Sequence, residues 1–143
     1  MCPLYRTHGS RAWNEPWSFG PAAEASITKS IQLREALHPY IVELVANASE
    51  FGTPLIRPVW WEFPADANVA ATSEAADSIP AFMFGNKYLV APVTTNSARE
   101  WTVYLPATPG GWIHYYSRAT FPGGANVTVP APFDELPLFE RAV

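Results

Sequence analysis

The sequence predicts an α/β segment followed by an all-β module, and three observations carry that prediction. Residues 26–50 contain no glycine and place apolar side chains at helical spacing between two strand-like stretches. From Phe82 onward the pattern changes to a series of short β-branched and aromatic runs separated by Pro-Gly-Gly turns. The composition, 48% hydrophobic and 14% aromatic over 143 residues, supplies enough apolar material for a packed core.

Residues 1–25 carry Pro3, Gly9, Pro16, Gly20 and Pro21 and read as a short strand end and then a loop. In the helix, Ile27, Ile31, Leu37, Ile41, Leu44, Val45 and Ala48 recur mostly at intervals of three and four, which gathers them near one stripe. Ser26 is placed to cap its start and Gly52 to end it. Pro39 has no N–H for the carbonyl of Glu35, so a kink or a junction of two helices is expected there. Residues 54–63, rich in β-branched and aromatic side chains, read as a strand that Pro58 should end early or bulge. Residues 64–80 are Ala-rich, polar and acidic and read as a loop with room for one helical turn.

The continuous apolar run Tyr88 to Val93 has the pattern of a strand buried on both faces. Glu100 to Leu105 alternates, with Trp101, Val103 and Leu105 on one side. Trp112 to Tyr116 and Asn126 to Val129 complete the β series, bounded by the turns at 109–111 and 122–124. Two strands joined through a helix form a parallel crossover, and one such unit cannot cover both faces of its own sheet. The first half therefore reads as a slice of a larger α/β domain.

Composition also narrows the function. Nine Lys and Arg against thirteen Asp and Glu give a formal charge of −4 with no basic stretch, so nucleic acid is not an expected partner. Charged residues make up only 15%, below the roughly 25% of an average globular chain, which points to surface that something covers. With Cys2 the only cysteine and His8, His38 and His114 widely spaced, neither a disulfide framework nor a metal-binding motif is expected. No apolar run approaches the ~18 residues of a membrane span, and Met1 to Arg6 lacks the apolar region of a signal peptide. The sequence is silent on oligomeric state. Asn47-Ala48-Ser49 and Asn126-Val127-Thr128 match the glycosylation pattern and are read as chance.

Several segments resemble one enzyme family. Tyr5-Arg6-Thr7-His8-Gly9 and Glu15-Pro16-Trp17-Ser18-Phe19-Gly20 are similar to the "R-x-H-G … E-P-W-x-F" stretch late in the catalytic barrel of family 31 glycoside hydrolases. The likeness continues through Leu33-Arg34, Leu37-His38-Pro39-Tyr40-Ile41, Gly52 to Pro58 and Glu62-Phe63-Pro64-Ala65-Asp66. Phe82-Met83-Phe84-Gly85 with Leu89 to Val93 resembles the approach to that family's β-sandwich. Tyr104-Leu105-Pro106, Trp112 and Pro132 to Phe139 resemble the sandwich itself.

The resemblance implies the final strand-helix-strand segment of a (β/α)8 barrel over residues 1–84, then part of a proximal C-terminal antiparallel β-sandwich over 85–143. It implies hydrolysis of α-linked sugars with retention, by a carboxylate nucleophile and a carboxylic acid about 5–5.5 Å apart. In the family both come from earlier barrel strands, in motifs such as "W-x-D-M-N-E". That motif does not occur in these residues, so the chain is expected to be inactive alone. No cofactor or metal is implied. The alternative is a non-catalytic β module that binds carbohydrate or packs on a partner.

Glu62, near the end of the 54–63 strand, and Asp66 are the carboxylates best placed for barrel chemistry, but neither matches the catalytic motif and no catalytic residue is assigned. On its own residues, His8 reads as a loop histidine or as an imidazole donating to a sugar hydroxyl. The resemblance favours substrate binding for His8; Arg6, two residues earlier on the same strand face, reads equally as bracing the site or as forming a structural salt bridge. Trp17 is the tryptophan best placed to line an active-site mouth. Trp60 and Trp61, adjacent in the expected strand, would face opposite sides. Trp101 and Trp112 read as core of the β module, and His38 and His114 as structural.

Overall fold

The computed structural model describes residues 1, 8–10, 13–69 and 81–142, which divide into two compact units, Met1–Leu55 and Ile56–Val143. The strand end expected near the N-terminus, including Arg6, lies outside the described residues.

In the first unit a 3₁₀ turn, Pro16–Phe19, precedes α1 (Pro21–Ala36) and α2 (His38–Phe51). Proline opens each of the three, where its missing N–H would have no partner in any case. Gly20, at φ 88°, turns the chain from the 3₁₀ turn into α1, ahead of the cap expected at Ser26. The Ser26 carbonyl is instead inside the helix and accepts from the Ser30 hydroxyl (3.0 Å). The break expected near Pro39 is present as two helices meeting at Leu37, whose N–H closes the last turn of α1 onto Leu33 (3.0 Å). Gly52 ends α2 in the left-handed region, φ 67°, donating to the Ala48 carbonyl (3.0 Å). Leu37, Ile41 and Leu44 are buried, whereas α1 has no buried residue and Ile31 is exposed. The single stripe drawn across 27–48 is thus divided by the break.

The second unit is β. In chain order it contains β1 (Ile56–Pro58), α3 (Val59–Glu62), β2 (Phe82–Phe84), β3 (Tyr88–Val90), β4 (Glu100–Leu105), β5 (Trp112–His114), β6 (Thr120–Phe121), β7 (Ala125–Pro130) and β8 (Leu138–Arg141). Six strands form one sheet in the order β1-β2-β3-β8-β5-β6, and β4 pairs with β7 in a second. Every ladder among the described residues is antiparallel. β1, expected as the second strand of a parallel crossover, pairs antiparallel with β2, matching Ile56 to Phe84 and Pro58 to Phe82. This ladder joins Ile56–Pro58 to the same sheet as β2 and β3.

Pro58 ends β1 after three residues, and Val59–Glu62 turns into α3 in place of the expected strand. Trp60 and Trp61 therefore stand on a helical turn, both exposed, with ring centroids 6.1 Å apart. The two sheets share one core. Met83, Leu89, Trp112 and Phe139 of the larger sheet pack with Val103, Leu105 and Val129 of the smaller, and Phe63 and Val69 close one side. Trp112 is fully buried and donates from Nε1 to the Pro106 carbonyl (2.8 Å), and Trp101 packs on the same cluster. The glycine turns let backbones touch: a Cβ at Gly111 would overlap the Phe121 carbonyl, and Gly111 sits at φ 72°.

Candidate functional site

The first unit carries the expected substrate-binding histidine. His8 is exposed and non-helical, and next to it stands Gly9, whose carbonyl accepts from the Asn14 side chain (3.3 Å). A Cβ at Gly9 would stand 3.0 Å from Asn14 Oδ1, so a glycine lets this side chain fold close over the backbone. Glu15 organises the turn into the 3₁₀ segment. Its carboxylate accepts from the Asn14 N–H (3.1 Å) and the Ser18 hydroxyl (3.2 Å), and its carbonyl from the Ser18 N–H (2.9 Å). Its own backbone N–H, then the Ser18 hydroxyl, hold the Glu15 carboxyl below its usual range. The turn so fixed presents Trp13, Trp17 and Phe19 to solvent, Trp17 at 65% exposure. Exposed aromatic faces on a braced turn suit stacking against apolar surface, including the C–H faces of a sugar.

The carboxylates Glu62 and Asp66 lie in the second unit, and both are engaged. Glu62 pairs with the buried Arg57 guanidinium of β1. Asp66 accepts from the Tyr104 hydroxyl at both oxygens (3.0 and 2.9 Å), from the Asn68 N–H (3.0 Å) and from the Ala107 N–H (3.3 Å). Asn68 Nδ2 donates to the same hydroxyl (3.1 Å). Burial pushes the Tyr104 phenol up, opposed by the Asn68 hydrogen bond and reinforced by the Asp66 carboxylate, so it remains a donor at neutral pH. An open cleft of about 530 Å³ lies over this network, lined by Phe63, Pro64, Asp66, Asn68, Tyr104 and Gly124.

The arrangement around Asp66 is a latch that ties the turn after α3 to β4. Nothing in the sequence pairs Asp66 with Tyr104, 38 positions away. Asp66→Ala is expected to lower the unfolding free energy by about 1.5–3 kcal/mol, the range for hydrogen bonds to a charged group. Urea denaturation monitored by far-UV circular dichroism measures it, and an unchanged midpoint would contradict the latch. Among the described residues no cluster of His, Cys, Asp or Glu could hold a metal ion, and no helix is long and apolar enough to cross a membrane.

Comparison with known proteins assigns the chain. The family described as Glycosyl hydrolases family 31 TIM-barrel domain matches residues 1–44, and Glycosyl hydrolase family 31 C-terminal domain matches residues 52–142. The chain belongs to glycoside hydrolase family 31. The likeness read from its ordered motifs is correct, as is the barrel-end-plus-sandwich fold class. This family 31 chain is 33% identical to Alpha-xylosidase A of Aspergillus niger, over 96% of the chain and 21% of that relative. It is 35% identical to Alpha-xylosidase of Saccharolobus solfataricus, over 99% of the chain and 18% of the relative. Among solved structures it is similar to a xylosidase from Aspergillus niger, with a TM-score of 0.85 and 30% identity over 97% of the chain and 20% of that protein. A family 31 alpha-xylosidase from a soil metagenome, solved with xylose, gives a TM-score of 0.82 at 33% identity over 91% of the chain and 18% of that protein. The chain thus spans about a fifth of the length of these relatives.

Proposed function

We propose that these residues are the C-terminal part of a retaining α-glycosidase that hydrolyses O-glycosidic bonds of α-linked sugars. The supporting observation is the uninterrupted order of the two family 31 matches, barrel domain and then C-terminal domain, along one chain. The named relatives include alpha-xylosidases and an alpha-glucosidase, which favours an α-linked substrate. In this reading the catalytic carboxylates come from barrel strands outside the 143 residues. Glu62, paired with Arg57, and Asp66, held by Tyr104, do not match the family's catalytic motif.

His8 is the substrate-contacting residue of the chain. It donates from an imidazole N–H to a sugar hydroxyl, a directional contact that fixes the ring. The segment preceding the sandwich supplies this contact.

The isolated chain is then expected to release no product from aryl α-glucosides or aryl α-xylosides above the uncatalysed rate. Turnover that disappears in Glu62→Gln would overturn this assignment of the catalytic pair.

A further inference from the structure

His114 ends β5 and is buried, 4% exposed, at the start of a tight turn into β6. The Ser117 backbone N–H, which can only donate, points at its Nδ1 (3.3 Å), and the Ser117 hydroxyl lies 2.8 Å from the same atom. Nδ1 is therefore the acceptor, and Nε2 carries the proton of the neutral ring. The Ser117 oxygen in turn accepts from the Ala119 N–H (3.3 Å), while the His114 carbonyl accepts from the Arg118 N–H (2.9 Å) and the His114 N–H donates to the Ala119 carbonyl (2.8 Å). Arg118 takes a left-handed conformation, φ 59°, inside this loop, a strained geometry for a side chain with a Cβ. The imidazole Nδ1 thus adds a side-chain acceptor to the backbone bonds that close a strained turn.

We propose that the 114–119 turn is an acid-released latch, closed while the His114 imidazole is neutral and opened when Nδ1 takes a proton from solvent. A protonated Nδ1 is a donor facing another donor. The Ser117 hydroxyl can rotate and accept from it, but the Ser117 amide cannot reverse, so its hydrogen bond is lost and the two N–H groups repel. The ring also packs edge-on to Phe139 of β8, centroids 5.3 Å apart, and near Tyr116, surroundings that solvate an imidazolium poorly.

The charges nearby do not reverse this. Burial disfavours the protonated ring more strongly than Glu135, in the loop before β8, favours it, so the His114 pKa lies below its usual value. Glu140 of β8 is engaged by Lys87 (2.9 Å) and by Arg118 of the same turn (3.3 Å). The Lys87 hydrogen bond holds Glu140 below the usual carboxylate range. With a lowered folded-state pKa at His114, the turn has its full stability above the unfolded value of about 6.5 and loses it as pH falls toward the folded value.

The test is amide hydrogen exchange by NMR on the whole chain between pH 7.5 and 4, corrected for intrinsic rates, with the His114 ring titrated in the same samples. Protection at Ser117, Arg118 and Ala119 should fall by about tenfold for each pH unit between the two pKa values. His114→Asn supplies a non-titrating acceptor and should flatten the pH dependence at the turn. Should that variant fail to fold, the wild-type data decide alone: the midpoint of turn opening must coincide with that of the His114 ring. Titration of the ring with no change at 117–119, or equal pH dependence in a folded His114→Asn variant, would overturn the proposal. Neither outcome depends on whether the chain is part of an α-glycosidase.

Discussion

Trp112→Ala is expected to remove about 3–5 kcal/mol of stability through the lost aromatic volume alone. The indole is fully buried between the two sheets, its ring 5.9 Å from that of Phe63. The substitution also strips the buried Pro106 carbonyl of its Nε1–H donor (2.8 Å), at a further cost of about 1–3 kcal/mol. Ordinary domains have only about 5–15 kcal/mol to lose, so the variant should be largely unfolded or close to it at 25 °C. Trp112→Phe keeps most of the volume and loses the donor, and should sit between the two. Urea titration by circular dichroism orders the three proteins. Equal midpoints for wild type and Trp112→Ala would mean that the core is centred elsewhere.

Arg57→Ala should be comparably damaging, for an electrostatic reason. The Arg57 and Glu62 side chains are only 8% and 14% exposed, so deleting the guanidinium leaves a poorly solvated carboxylate in place. Breaking such a pair from one side costs about 3–5 kcal/mol, whereas replacing both members with apolar residues of similar volume is often neutral. Arg57→Met combined with Glu62→Leu should therefore recover most of what Arg57→Ala loses. If the double variant is no more stable than the single one, a stranded Glu62 carboxylate is not the source of the loss.

Much of the fold is legible from local chemistry. Pro39 cannot continue a helix and Gly52 can end one, and both act in that way. The alternation from Trp101 to Leu105 marks the inner face of β4, with Val103 and Leu105 buried. Residues 59–62 mislead because bulky aromatic and β-branched side chains favour strands on average. Here Pro58 ends the ladder and the Arg57–Glu62 pair closes a helical turn instead. β6 and β8 escape a reading of the sequence because they are two and four residues long and owe their pairing to the strands beside them in the sheet. The site divides in the same way. The role proposed for His8 rests on a motif, whereas the occupation of Glu62 and Asp66 depends on tertiary contacts. Asp66 meets Tyr104 and Ala107 only once the sheet has formed.

On the reading proposed for this chain, it supplies a substrate contact to a family 31 active site while its own carboxylates do no chemistry. The direct measurement grafts residues 1–142 onto the Aspergillus niger alpha-xylosidase in place of the segment they match, then compares kcat/KM on an aryl α-xyloside with and without His8→Ala. A positioned hydrogen bond to substrate is worth about 0.5–1.5 kcal/mol if neutral and roughly 1.5–3 if charge-assisted. His8→Ala should lower kcat/KM by about three- to a hundredfold with little change in Tm, because the exposed imidazole contributes little to the core. A folded, active graft in which His8→Ala leaves kcat/KM unchanged, or mainly lowers Tm, would contradict the assignment.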